Sequence, residues 1–123
     1  MPTIKLKRVY SPYDENDGFR VLVDRLWPRG IKKENLKMDL WEKDIAPSNA
    51  LREWFHQDTA TQWNEFSVRY DKELENSPAF NAFINKIKSY DTVTLLYAAH
   101  DEQQNNAIIL KEALENKLKT ITQ

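Results

Sequence analysis

Two short apolar runs constrain this chain more than any other feature. Val21-Leu22-Val23 and Val93-Thr94-Leu95-Leu96-Tyr97 lack the alternation of a half-wet strand. Such runs belong to strands buried on both faces, as in the interior of a parallel sheet. Between them lies a long stretch with helical periodicity, so the expected fold class is α/β. The expectation is a small single domain over residues 1–123, with a mostly parallel sheet and helices packed on it. If the two runs are parallel neighbours, the loops that follow them face each other across one crevice at the carboxyl end of the sheet.

The remaining elements follow from local pattern. Thr3 to Tyr10 alternates, with Ile4, Leu6 and Arg8 against Lys5, Lys7 and Val9, which predicts a strand near an edge. Ser11 to Gly18 is a polar turn, and Phe19 to Asp24 is the first buried strand. Ile31 to Leu36 reads as a short helical turn, and Lys37 to Ile45 as a short strand or extended segment. Ser48 can cap a helix running through His56 with Leu51, Trp54 and Phe55 inward. Thr59 with Gln62 resembles a capping box ahead of the stripe Trp63, Phe66, Tyr70 and Leu74. Ser77-Pro78 opens a third helix that buries Phe80, Phe83, Ile84 and Ile87 and ends near Ser89. Asp91 to Ala99 is the second buried strand. Asp101 with Gln104 predicts the cap of a last helix lined by Ala107, Leu110, Leu114 and Leu118.

Several function classes fall away on composition. There is no Cys, so a disulfide framework, a thiolate nucleophile and Cys-ligated zinc are excluded. No apolar run approaches the ~20 residues of a membrane span, and no signal peptide is visible, which suits a cytoplasmic protein. Eighteen basic and nineteen acidic residues give a formal charge of −1, which lends no support to bulk nucleic-acid binding. Only two glycines are present, with no phosphate-cradling glycine loop and no cofactor motif. Asp14, Glu15 and Asp17 lack the spacing of a calcium loop, and two distant histidines make no zinc site, so no metal is expected. The serines lack a nucleophile-elbow context.

Chemistry concentrates at the two strand tips. Asp24-Arg25-Leu26-Trp27-Pro28-Arg29-Gly30 offers two guanidiniums, a carboxylate and an indole. Arg25 and Arg29 suit a carboxylate or phosphate ligand, but either can instead pair with Asp24 and fix the loop. Asp24 reads as an orienting partner whose pKa adjacent arginines would depress. Trp27 is a stacking wall or a core residue. His100 is the one histidine expected near the crevice, as a general base or as a solvated loop residue. Asp101 is a helix cap or a second acid/base group, while His56 reads as surface or packing. Asn105 and Asn106 in the first turn of the last helix are poor helix formers. They either bind a ligand near the positive helix end or sit on the wet face.

Three segments together resemble a known family. They are Val-Asp-Arg-Leu-Trp-Pro-Arg-Gly at 23–30, Asp-Leu-Trp-x-Lys-Asp-x-Ala-Pro-Ser at 39–48, and Leu-Leu-Tyr-Ala-Ala-x-Asp-Glu-x-x-Asn-Asn-Ala at 95–107. In that order they are similar to the YeaO-like branch of the DUF488 family. The resemblance implies a small α/β domain and a cytoplasmic bacterial protein, and it carries no established reaction. Members of the branch are sometimes labelled MarR-type regulators, although buried strands interleaved with helices do not read as a winged helix-turn-helix. Relatives in the broader family resemble one another in a Cys-His-Arg triplet just inside the last helix, where this chain has Asn105-Asn106-Ala107.

Three functions stand open on the sequence. The first is binding of an anionic small molecule, phosphate or carboxylate, with Asp24, Arg25, Trp27, Arg29, Asn105 and Asn106 as ligand residues. Hydrolase or transferase chemistry by His100 and Asp101 would extend it. The second is a nucleic-acid-associated or regulatory protein using Arg25, Arg29, Lys32 and Lys33 as a basic patch. The third is a protein-interaction module that presents Trp27 or Trp41.

Overall fold

The computed structural model describes residues 1–121. Four strands form one parallel sheet: β1 (Thr3–Arg8), β2 (Phe19–Leu22), β3 (Leu40–Trp41) and β4 (Thr92–Tyr97), in the order β1-β4-β2-β3. The two apolar runs are neighbours as expected: Val21 lies opposite Leu95 and Leu22 opposite Leu96, in parallel register. Val21, Leu22, Val23, Leu95 and Leu96 are all completely buried. Four α-helices follow the sequence pattern: α1 (Asn49–Gln57), α2 (Thr59–Glu75), α3 (Pro78–Ile87) and α4 (Asn106–Ile121).

The pleat explains burial on both sides of the sheet. Val21, Val23, Val93, Leu95 and Tyr97 join the larger core, to which all four helices contribute apolar side chains. The alternate residues Leu22 and Leu96 turn to the opposite face, where Val9 and Leu36 complete a smaller core. That second face is roofed by the long β2–β3 connection, with Trp27, Ile31 and Met38 packed on it, instead of by helices. The segment read as a helical turn contains a short 3-10 helix at Lys33–Asn35, and Lys37 to Ile45 supplies β3 followed by another at Lys43–Ile45.

Two expected caps are shifted. The α2 cap is Asp58, whose side chain accepts from Thr61 N, while Gln62 donates its amide to the Trp54 carbonyl at 2.6 Å. The α4 cap is Asn105, whose Oδ1 accepts from Ile108 N at 3.2 Å. Asp101 organises an earlier turn by accepting from Gln103 N and Gln104 N at 2.8 and 3.0 Å. In both places two capping residue types stand close together and the cap falls on the neighbour, Asp58 just before Thr59 and Asn105 four residues after Asp101. Ser48 and Ser77 cap α1 and α3 as expected, and Ser48 Oγ also donates to Glu73 on α2 at 2.6 Å.

At the amino end of the sheet, Asp17 forms a buried charge cluster. It accepts from Lys7 of β1 at 2.9 Å and from the Arg20 guanidinium of β2, and Thr94 of β4 donates its hydroxyl to the Asp17 carbonyl at 2.7 Å. Three strands therefore meet at one residue. Burial alone would raise the Asp17 carboxyl, but the bonds from Lys7 and Arg20 outweigh it and hold the group below 3.8. Gly18 beside it has φ +67°, and a Cβ there would lie 2.3 Å from the Thr92 carbonyl oxygen, so only glycine fits.

Arg20 is only 3% exposed, so removing its partner leaves a buried, uncompensated charge. Asp17→Ala is expected to cost about 3–5 kcal/mol in urea unfolding at neutral pH. The depressed carboxyl gives the linkage its sign: stability from Asp17 is present above pH 3.8 and declines as pH falls through the lower folded value. The Asp17→Ala protein should lack that acid-side loss.

Candidate functional site

The carboxyl ends of β2 and β4 open into a cleft of about 500 Å3. Its lining includes Asp24, Arg25, Trp27, Arg29, His100, Asp101, Asn105 and Asn106, so every residue singled out at the two strand tips borders one cavity. The parallel pairing of β2 with β4 produces this juxtaposition, because it puts both following loops at the same sheet edge.

Asp24 forms the polar floor. Its Oδ2 accepts from Ala98 N at 2.9 Å and its Oδ1 from Asn106 Nδ2 at 3.2 Å, while its backbone carbonyl accepts from Trp41 Nε1 at 2.7 Å. The anticipated pairing with an arginine does not form. Arg25 turns away, donating from Nε to the Pro47 carbonyl at 3.0 Å and from Nη2 to the Ala46 carbonyl at 3.3 Å. That geometry ties the cleft floor to the approach to α1. Without a paired guanidinium, burial raises the Asp24 carboxyl above 3.8, opposed by the Ala98 N–H, Asn106 and the nearby His56. This reverses the direction expected from the sequence, where arginine neighbours in the chain were taken as neighbours in space.

One wall of the cleft is held by Arg8, a residue the strand pattern did not single out for the site. Its Nε donates to the Ala99 carbonyl at 2.9 Å and its Nη2 to the Ala98 carbonyl at 3.2 Å. Nη2 also lies 3.5 Å from His100 Nδ1. The Arg8 guanidinium sits 4.9 Å from the centre of the Tyr10 ring, and the Tyr10 hydroxyl donates to the Arg29 carbonyl at 2.9 Å. Arg29 is thereby held by its backbone, while its exposed guanidinium has no protein partner among the described residues.

The helical side supplies Arg52, Phe55 and His56 from α1 and Thr59 from the start of α2. His56 was expected on the surface or in packing, and it borders the cleft as a second histidine. Arg52 was not singled out at all. The helical period carries a signal for it: Arg52 lies four residues before His56 and three before the buried Phe55, on the flank of the inward stripe. Its Nε is buried without a hydrogen-bond partner. Its Nη2 makes only long contacts, 3.5 Å to Asn49 Oδ1 and 3.9 Å to Glu53 Oε1.

Asn105 and Asn106 both have structural duties. Asn105 is 2% exposed, caps α4 and donates to the Asp101 carbonyl at 2.8 Å. Asn106 reaches Asp24 and, at 3.4 Å, the Val23 carbonyl. Trp27 donates Nε1 to the Ile31 carbonyl at 2.6 Å and meets Trp41 edge to face at 5.4 Å, so both indoles are half-buried. Among the described residues no cluster of His, Asp and Glu could hold a metal ion, and no helix is long and apolar enough to cross a membrane.

Residues 3–123 match the family described as the inactive DUF488-N3 subclade. The chain belongs to the DUF488 family. It is 42% identical over 113 residues to the uncharacterized protein YeaO of Escherichia coli (strain K12), an alignment covering 92% of this chain and 97% of YeaO. It is 39% identical over 114 residues to Rv3073c of Mycobacterium tuberculosis (strain ATCC 25618 / H37Rv), covering 93% of this chain and 95% of that protein. Mb3100c of Mycobacterium bovis (strain ATCC BAA-935 / AF2122/97) matches equally well. No solved structure matches. In this DUF488 chain Asn105 is the α4 cap and Asn106 the Asp24 tether.

The raised Asp24 carboxyl sets the sign of a pH effect. Its folded value lies above the unfolded 3.8, so its contribution favours the fold most at low pH and declines as pH rises through the folded value. The stability gap between wild type and Asp24→Asn should therefore narrow, or turn against wild type, between about pH 4 and about pH 7. Urea unfolding of both proteins across that range measures the gap, and a gap that widens with pH would contradict the assignment.

Proposed function

We propose that the cleft binds an anionic small molecule without turning it over. The observation that carries this reading is Arg52 of the cleft lining, whose buried Nε has no partner and whose Nη2 makes only long contacts. A buried donor left unpaired is costly, and an anionic oxygen is the natural acceptor for a guanidinium. Arg29 adds a second guanidinium on the same cavity, held by its own carbonyl and uncommitted at its side chain. The His100 and His56 imidazoles border the same space.

Binding without catalysis is supported from two sides. The matching family description carries the word inactive. The candidate acid/base group Asp101 uses its Oδ1 on two backbone amides, and Asp24 has both oxygens occupied by Ala98 N and Asn106. A hydrolase or transferase would need one of these, or His100, to carry a proton to substrate.

The nucleic-acid reading keeps the exposed Arg29, Lys32 and Lys33 but loses Arg25, which is bound to carbonyls, and the chain's net charge of −1 gives it no support. The interaction reading has weaker anchors, since Trp27 and Trp41 are half-buried and pack on each other.

Thermal melting in the presence of phosphorylated and carboxylate compounds tests the proposal. A ligand at about 100 times its Kd should raise the midpoint by several degrees, because it stabilises the fold by about 2.7 kcal/mol. Arg52→Ala and Arg29→Ala should each weaken that ligand about 10-fold or more, the worth of one charge-assisted hydrogen bond. No shift with any anion, or shifts indifferent to both substitutions, would overturn it. A steep salt dependence of binding to DNA or RNA would favour the nucleic-acid reading instead.

A further inference from the structure

We infer that the ligand of this cleft is an aromatic anion: a flat apolar ring carrying one carboxylate or phosphate, rather than a small inorganic ion. The inference rests on the anion-binding reading above and names the chemical class that reading leaves open.

The polar groups of the floor are already committed within the protein. Asp24 accepts from Ala98 N and Asn106, Asn105 caps α4, and Arg25 serves the Pro47 and Ala46 carbonyls. The uncommitted guanidinium donors belong to Arg29 and Arg52, which come from different elements, the β2–β3 connection and α1.

What the cavity does offer is apolar surface. Phe55, Pro47, Pro28 and Ala98 line it, and its mouth carries Leu26 at 56% and Tyr10 at 46% exposure. Ligand cavities of this kind hold drug-sized molecules, with apolar walls and few polar groups. The volume of about 500 Å3 points the same way. One water occupies about 30 Å3 of liquid, so an inorganic oxyanion would leave most of the cleft wet. The Tyr10 ring is fixed in place by its hydroxyl bond to Arg29 and by the Arg8 guanidinium against it. A held aromatic ring on the same lining as the unpartnered Arg29 side chain suits a ring with a charged substituent.

Calorimetric titration with matched probes tests this: acetate, inorganic phosphate, 2-naphthoate, 2-naphthyl phosphate and neutral 2-naphthalenemethanol. The two naphthyl anions should bind at least ~10-fold more tightly than acetate and phosphate, and Leu26→Ser should weaken them by up to ~10-fold, the worth of an apolar contact. Leu26 is exposed, so the substitution leaves the core intact. If acetate or phosphate binds as tightly as its naphthyl counterpart, the aromatic class is wrong and the anion site stands. If naphthalenemethanol equals naphthoate and Arg52→Ala changes neither, the anion reading itself falls. Absence of binding by all five probes would overturn both.

Discussion

A single carboxylate, Asp24, holds the working end of this molecule together. It closes β2 onto the β4 loop through Ala98 N, onto the start of α4 through Asn106, and onto β3 through the Trp41 indole bonded to its carbonyl. A buried carboxylate is tolerated only when such donors replace its lost water. The mate of this device sits at the other end of the same strand, where Asp17 gathers Lys7, Arg20 and Thr94. β2 is thus clamped to its neighbours at both ends by an aspartate. The two clamps differ in sign: Asp17 has cationic partners and is held below its ordinary pKa, whereas Asp24 has neutral donors and burial raises it.

The clamp at Asp24 also decides where a cavity can be. All four helices contribute to one core, and the other sheet face is roofed by the β2–β3 connection. That connection must leave β2 at Asp24 and still cross the sheet, so it bends through Trp27-Pro28-Arg29 beside the β4 loop. Tyr10 and Arg8, from the end of β1, fasten the bend and the β4 loop from the far edge. The cleft is what remains between this fastened bend and α1.

The chain pattern made the architecture legible because burial follows the pleat. Val21-Leu22-Val23 and Leu95-Leu96 are apolar on consecutive residues, and only a sheet covered on both faces demands that. The nature of each cover was less legible: Ile31, Leu36 and Met38 are spaced for packing but form no long helix. Capping was readable at Ser48 and Ser77, where one capping residue stands alone before a helix. It failed at Asp58-Thr59 and at Asp101 versus Asn105, where capping types crowd within a few residues.

Site residues were legible only where they cluster in the chain. Asp24 to Arg29 and His100 to Asn106 border one cavity because each set follows a central strand. Arg52 and His56 come from a helix whose distance from the strand tips in sequence hides its proximity in space. Chain adjacency also misled at Arg25, because a bend after Asp24 sends the guanidinium to the Ala46 and Pro47 carbonyls.

The asparagine pair does structural work beneath the cleft. Asn105 satisfies an otherwise orphaned helix amide, and Asn106 neutralises part of the desolvation of Asp24. Neither task needs a nucleophile or an acid. Side chains of that kind keep the cavity walls in register while supplying no group that could attack or protonate a substrate. Arg29, on the β2–β3 connection, and Arg52, on α1, both line the cleft. On the proposed anion-binding reading, selectivity comes from the apolar shape and charged rim of the cleft, with the polar floor serving the fold.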